Sequence, residues 1–328
     1  MLQSRLYADG VCVRTDLSLD ELASAAEGED HALWIDCSKD DVEILHRLAD
    51  EFRLHPVAVE DALEKHERPK LDRYDSHVFA VAYSSRMRSG TADNSVPEVD
   101  YHDISIFATA HVLITVRPDD APEIAGSTEV WEAHPELLKH GSAAMLWALL
   151  DEIVDSHFDT VQQLEDYTGR IEEIVFAETS DIRSAQRKLY QMHKRTTLLR
   201  RITVPTRDIV GGILRFGSAG ATGALMPYFQ DVYDHCMRVA DWSDNLHDTI
   251  STLFDSTLST QSNRMNMVMK KVTSWAAIIA VPTLVTGFFG MNVNFPLFGT
   301  EAGFWVAVAL IIVPSSALYF LFRRSDWL

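Results

Sequence analysis

Apolar positions follow three rhythms along this 328-residue chain. Over residues 1 to about 120, short runs alternate between the two-residue period of strands and the three-to-four period of helices. From about Gly141 the helical period takes over. Near the C-terminus the pattern gives way to continuous apolar sequence: residues 272–300 hold no Asp, Glu, Lys, Arg or His, and residues 302–322 hold none either. Each run can supply a membrane-spanning helix, which needs roughly 20 apolar residues to cross about 30 Å of hydrocarbon. Gly290-Met291-Asn292 and a loop whose only charge is Glu301 join them, so the chain is expected to end in a two-pass hairpin.

The first region reads as a small α/β domain. Asp9-Gly10 between residues 5–8 and 11–15 predicts a β-hairpin turn. Ser18 with Glu21 three residues on is a capping box opening a short helix at Leu19. Residues 32–37 predict a strand. Ser38 followed by Asp41 caps a helix with Val42, Leu45 and Leu48 on one face, and Pro56 starts another that continues over residues 57–65. Residues 77–83, 102–108 and 112–116 are further strands, rich in β-branched and aromatic side chains. Glu60, Asp61, Glu64, His66 and Glu67 read as a solvated helix end, and His102 and Asp103 as strand residues facing solvent. No zincin, phosphate-loop or nucleophile-elbow motif is present, which gives an enzymatic role no support.

Leu146, Leu149, Leu150, Ile153, Val154, His157, Phe158, Val161 and Leu164 mark a helix extending to Phe176. Ile182, Ala185, Leu189, Met192, Leu198 and Leu199 mark a second, with Thr179-Ser180-Asp181 as the break and cap. The acidic positions on this pair read as a solvated face. The glycine-rich stretch over residues 217–223 follows no strand and reads as a linker. Pro227 can start a helix, and no further proline appears until Pro282. One helix of about 60 residues, roughly 90 Å long at 1.5 Å per residue, is expected to run from the soluble region into the first span. The expected divisions are 1–125 (α/β domain), 126–223 (helical hairpin), 224–271 (stalk), 272–291 (first span), 292–302 (outer loop), 303–322 (second span) and 323–328 (basic tail).

Along the long helix, Asn266, Met269, Thr273, Ala276, Ala280, Thr283 and Gly287 recur at three or four and are small or polar, apart from Met269. The other side carries Trp275, Ile278, Ile279, Leu284, Val285, Phe288 and Phe289. Such a stripe suits close packing of helices through small residues or the lining of a narrow axial pore.

Charge sharpens this. Lys and Arg number 29 against 48 Asp and Glu. From Val272 on, Arg323 and Arg324 cancel Glu301 and Asp326, so the whole excess of 48 − 29 = 19 negative charges lies before the spans. That argues against a nucleic-acid partner and for a surface that concentrates cations. Arg264, Lys270 and Lys271 precede the first span and Arg323 and Arg324 follow the second; both termini are therefore expected in the cytoplasm of a plasma-membrane protein. Residues 1–10 lack the apolar core of a signal peptide. Cys12, Cys37 and Cys236 are isolated and read as buried small apolar residues.

Gly290-Met291-Asn292 closing a penultimate span, before a last span and a short basic tail, resembles the CorA family of divalent-cation transport proteins. Glu60-Asp61-Ala62-Leu63 through Arg68-Pro69-Lys70, the run from Tyr228 to His235 and the run from Asn266 to Thr273 are also similar to that family. The resemblance implies an α+β architecture: a soluble α/β head, a long stalk helix and two C-terminal transmembrane helices, assembled as a funnel-shaped homopentameric channel in the lipid bilayer. It implies influx of Mg²⁺, with Co²⁺ and Ni²⁺, through a filter of Gly290, Met291 and Asn292. It favours the pore reading of the stripe, with Val272 at a hydrophobic gate and Asp255 at an acidic ring in the stalk. It also implies gating by cytoplasmic Mg²⁺ bound between subunits, with Asp231 as one ligand. The partner aspartate is not evident: Arg88 stands at the matching position, and Asp93, Glu98 or Asp100 could substitute. A zinc transporter of the same superfamily and a membrane-anchored scaffold are the alternatives. No ionisable residue lies in 272–291 to carry a coupled proton.

Overall fold

The computed structural model describes residues 2–26, 31–64, 68–88, 96–119, 121, 124–176, 182–216, 223–291, 297 and 299–328. The chain divides into two compact units, Met1–Leu253 and Phe254–Leu328.

The first unit is built on a seven-stranded sheet. Its strands are β1 (Leu2–Ala8), β2 (Val11–Thr15), β3 (His31–Ser38), β4 (Lys70–Arg73), β5 (Val78–Arg88), β6 (Glu98–Ala108) and β7 (Val112–Arg117). They lie in the order β2-β1-β3-β7-β6-β5-β4; β3 and β7 are parallel and the other pairs antiparallel. The β1–β2 hairpin turns at Asp9 and Gly10, both at positive φ. A side chain at Gly10 would also sit 2.1 Å from the Pro135 carbonyl oxygen, so glycine is required twice over.

Helices cover both sheet faces. Helices α1 (Leu19–Ala25), α2 (Val42–Phe52) and α3 (Pro56–Leu63) bury Leu22, Leu45, Leu48, Ala58 and Ala62 against Leu33, Ile35, Phe79, Val81, Phe107 and Ile114. The capping box forms, with the Ser18 amide donating to the Glu21 carboxylate at 3.0 Å. On the other face, α4 (Ala125–Ala133) places Trp131 edge-on to Trp34 and Tyr7, and α5 (Pro135–Leu138) follows. Helix α6 (Ser142–Phe176) lies along β5: Ser85 hydrogen-bonds Ser156, and His157 Nε2 donates to the Tyr83 carbonyl at 2.7 Å. Helix α7 (Ile182–Phe216) contacts α6 and β4. Helix α8 (Met226–Phe289) is 64 residues long, with Pro227 in its first turn as expected.

Several expectations need correcting. Val42 is 44% exposed while Leu45 and Leu48 are buried, because the face of α2 that meets the sheet begins one turn later. Helix α3 ends at Leu63; Lys65, His66 and Glu67 lie outside the described residues. Strands β5 and β6 extend through Arg88 and from Glu98, further than their apolar runs, because pairing with each other carries both onward. Strand β4 and helices α4 and α5 are additional to the elements the pattern predicts. Asp103 is buried rather than facing solvent: Lys39 reaches it at 2.8 Å and neutralises it. Cys37 and Cys236 are buried but Cys12, on edge strand β2, is only partly so. The break at residues 179–181 and most of the glycine-rich linker lie outside the described residues.

Candidate ion pathway and cation site

In the second unit, the latter part of α8 and helix α9 (Glu301–Arg324) are both long and apolar enough to cross a membrane. Thr300 caps α9, its hydroxyl accepting from the Gly303 amide at 3.2 Å. After α9 the chain returns to α8: the Lys270 ammonium lies 5.8 Å above the Trp327 ring, which stacks on Phe322. The two spans therefore run antiparallel.

Exposure along α8 has a helical period. The less exposed positions recur as Ser274, Ile278, Val281, Val285 and Phe289. Asp255, Asn266, Met269, Val272, Thr273, Ala276, Ala280, Thr283 and Gly287 are all exposed, and from Thr273 on they lie on the opposite side by the 3.6-residue period. Trp275, Ile279, Leu284 and Phe288 are also at least half exposed. The chain thus leaves its small, hydroxyl-bearing stripe uncovered.

The hydroxyls on this helix are already oriented. Thr283 donates its proton to the Ile279 carbonyl at 2.8 Å, and Thr286 donates to the Pro282 carbonyl at 2.8 Å. What such a hydroxyl presents outward is lone pairs, which accept from the water shell of a cation. Helix α8 ends at Phe289, and the amide of the next residue, Gly290, donates to the Thr286 carbonyl at 2.9 Å. A Cβ on Gly290 would stand 2.9 Å from that same oxygen, so the glycine keeps the end of the helix open. Met291 is exposed; Asn292 lies outside the described residues.

The second candidate site is in the first unit. Asp231 on α8 is exposed and lies 3.8 Å from His235 Nε2, one turn further on. Facing them from α6 are Asp151 and Asp155, also one turn apart. Among the described residues, Asp151, Asp155 and His235 bring ligand atoms within 4.8 Å of one another. Burial, then Asp155 and Asp231, push the Asp151 carboxyl above the usual carboxylate range; burial and then Asp159 do the same to Asp155. Clustered acids with raised pKa values are ones whose charge a cation would relieve. His235 Nδ1 is buried without a hydrogen-bond partner among the described residues.

Glu98 and Asp100, two of the candidate substitutes for the missing partner of Asp231, are engaged elsewhere. Arg88 pairs with Glu98 at 2.5 Å and with Asp100 at 3.4 Å across β5 and β6, and Asp93 lies outside the described residues. Asp151, which does approach Asp231, lies with Asp155 on the α6 face that reads in sequence as solvated. Their signal was the four-residue spacing of Asp151 and Asp155, which matches that of Asp231 and His235.

The sequence profile of the CorA-like Mg2+ transporter protein family matches residues 29–324. The chain belongs to this family. The family is one of transporters rather than enzymes. It is 27% identical over 295 residues to the putative metal ion transporter YfjQ of Bacillus subtilis, covering 90% of this chain and 89% of that protein. It is 27% identical over 288 residues to the cobalt/magnesium transport protein CorA of Thermotoga maritima, covering 87% and 80%. The fold matches the complete CorA magnesium transporter of Methanocaldococcus jannaschii with a TM-score of 0.78 at 22% identity, over 100% of this chain and 99% of that one. The cytoplasmic domain of ZntB from Vibrio parahaemolyticus is less similar, with a TM-score of 0.56 at 15% identity over 79% of this chain and 98% of that one.

Proposed function

We propose that this chain is one subunit of a homopentameric plasma-membrane channel that admits divalent cations, Mg²⁺ foremost and Co²⁺ and Ni²⁺ with it. One observation carries the reading: the stripe from Thr273 to Gly287 lies bare on the side of α8 opposite the face its own chain partly covers, and is the small, hydroxyl-bearing part of the exposed surface, on a family member with two apolar spans. Five copies around an axis turn that stripe into a lining. Gly290, Met291 and Asn292 form the outer mouth, where five amides hydrogen-bond the waters of Mg²⁺, an ion that gives up its shell reluctantly. Thr283 and Asn266 supply polar oxygens below, Met269 and Val272 an apolar constriction, and Asp255 an acidic ring. With both termini cytoplasmic, moving a double positive charge inward across 100 mV releases about 4.6 kcal/mol.

Asp231, with Asp151, Asp155 and His235, is the regulatory Mg²⁺ site. A bound cation holds these charged groups together; its loss lets them repel and loosens α6 from α8. Zinc as the main cargo has less behind it, since the likeness to ZntB extends to the fold alone.

Proteoliposome uptake of Mg²⁺, Co²⁺ and Zn²⁺ tests the proposal. Asn292→Ala should abolish flux while the oligomer still elutes as the wild type does. Undiminished flux in that variant would overturn it.

A further inference from the structure

The first unit holds a cavity of ≈ 490 Å³ between edge strand β4 and helix α7, closed at one side by Tyr233 of α8. Its size lies in the range of small-ligand sites. Its charge runs against the chain: Lys70, Arg73, Arg207 and Arg215 line it, against one lining carboxylate, Asp208, in a protein of net charge −19. Helix α7 as a whole carries nine Lys and Arg and a single Asp, whereas neighbouring α6 carries eight Asp and Glu and a single Arg.

We infer that this cavity binds a nucleoside polyphosphate. The guanidiniums are held in place beforehand. Arg73 donates to the Phe216 carbonyl at 2.5 Å, and the guanidiniums of Arg73 and Arg215 each lie 5.7 Å from the Phe216 ring centre. The two guanidiniums converge on one ring beside the cavity, and a guanidinium fork matches phosphate oxygens two at a time. Lys70 is fixed by Asp61 and Asp72, and Arg207 by Asp208 at 3.2 Å, so these two flank the anion site with charges already partly balanced.

The remainder of the cavity suits a flat ring. Phe216 is 60% exposed, a large aromatic surface left on a soluble unit, and Tyr233 stands half-buried opposite the glycine pair Gly211-Gly212. A Cβ on Gly211 would come 3.1 Å from the Tyr233 ring, and one on Gly212 would come 2.5 Å from Leu71 Cδ2. The glycines thus let Tyr233 and Leu71 close directly on α7, and the surface left for a base to stack on is the exposed Phe216 ring with the part of Tyr233 that lines the cavity. Tyr233 lies between Asp231 and His235 in sequence but projects from the other side of α8, so this cavity is separate from the cation cluster.

Calorimetric titration of the full-length protein in lipid nanodiscs, with EDTA present, decides the matter, using ATP, ADP and pyrophosphate as probes. Saturable binding is expected for all three, tighter for ATP than for pyrophosphate, and weakened by added salt. Arg73→Ala with Arg215→Ala should weaken every probe by about tenfold or more. Tyr233→Leu should weaken ATP and spare pyrophosphate. Asp231→Asn should leave binding unchanged, which keeps this result independent of the cation reading. Arg215→Glu, at an exposed position, is the deciding variant if the double substitution does not fold. No saturable heat with any probe, or unchanged binding in Arg215→Glu, overturns the site; equal affinity for pyrophosphate and ATP overturns the ring-binding half.

Discussion

The two units treat apolar side chains in opposite ways. In Met1–Leu253, Leu33, Ile35, Phe79, Phe107 and Leu113 are wholly buried within the chain's own core. In Phe254–Leu328, Ile279, Leu284, Phe304, Trp305 and Phe320 are 60–75% exposed, and even Gly287 meets nothing where a side chain would begin. A single water-soluble chain does not leave that much contiguous apolar surface bare. The first unit satisfies its hydrophobic residues itself. The second needs a solvent that is not water. The contrast divides the proposed roles: the self-sufficient unit holds the cation cluster, and the dependent one holds the stripe proposed as the pathway.

Added bulk on the stripe should have the largest effect. Ala280→Leu adds apolar volume at a position that lipid would tolerate but a narrow lining would not. Ion flux should fall to background while the head's melting temperature stays as it was. Flux at the wild-type level would return the stripe to the lipid.

Matched truncations in the two units should diverge next. Phe107→Ala removes a fully buried ring and should cost the head about 3–5 kcal/mol in denaturant unfolding. Leu284→Ala, at a position 75% exposed, should leave head unfolding untouched. Equal costs would mean the two units unfold as one.

The pH response belongs to the head as well. His77 is 1% exposed, and burial, then neighbouring His55, push its pKa down to about 4. Its unfolded value is near 6.5, so between those values the unfolded chain binds the extra proton. The stability contributed by the neutral ring is therefore complete above about pH 6.5. It is lost as pH falls towards 4, by at most about 3 kcal/mol. Chemical denaturation across this window should show that loss, and His77→Gln should flatten the curve. An unchanged slope in the variant would assign the effect elsewhere.

The smallest effect concerns the cation cluster. Asp151 and Asp155 have raised pKa values, so their ionised forms weigh against the folded head once pH exceeds those values. Adding Mg²⁺ after EDTA should raise head stability by about 1–3 kcal/mol at saturating ion, the gain shrinking in acid as the carboxyls protonate. Asp155→Asn should remove most of the gain. A gain of the same size in that variant would move the ion to another place.

At several places where near neighbours decide an element, the linear pattern is sufficient. Two runs free of ionisable residues defined the spans. A proline-free stretch after Pro227 foretold a helix that is 64 residues long. Asp9-Gly10 and the Ser18–Glu21 pair set their turn and cap through bonds among near neighbours. Packing decided everything that depended on a distant partner. Asp103 looks exposed by alternation until Lys39, on another strand's end, neutralises it. Asp151 and Asp155 are an unremarked helix face until α8 lays His235 against them, and Arg73 and Arg215 share a ring only because β4 lies on the end of α7. Periodicity reports which side of an element is apolar. It carries no information about which element, with what charge, arrives on the other side.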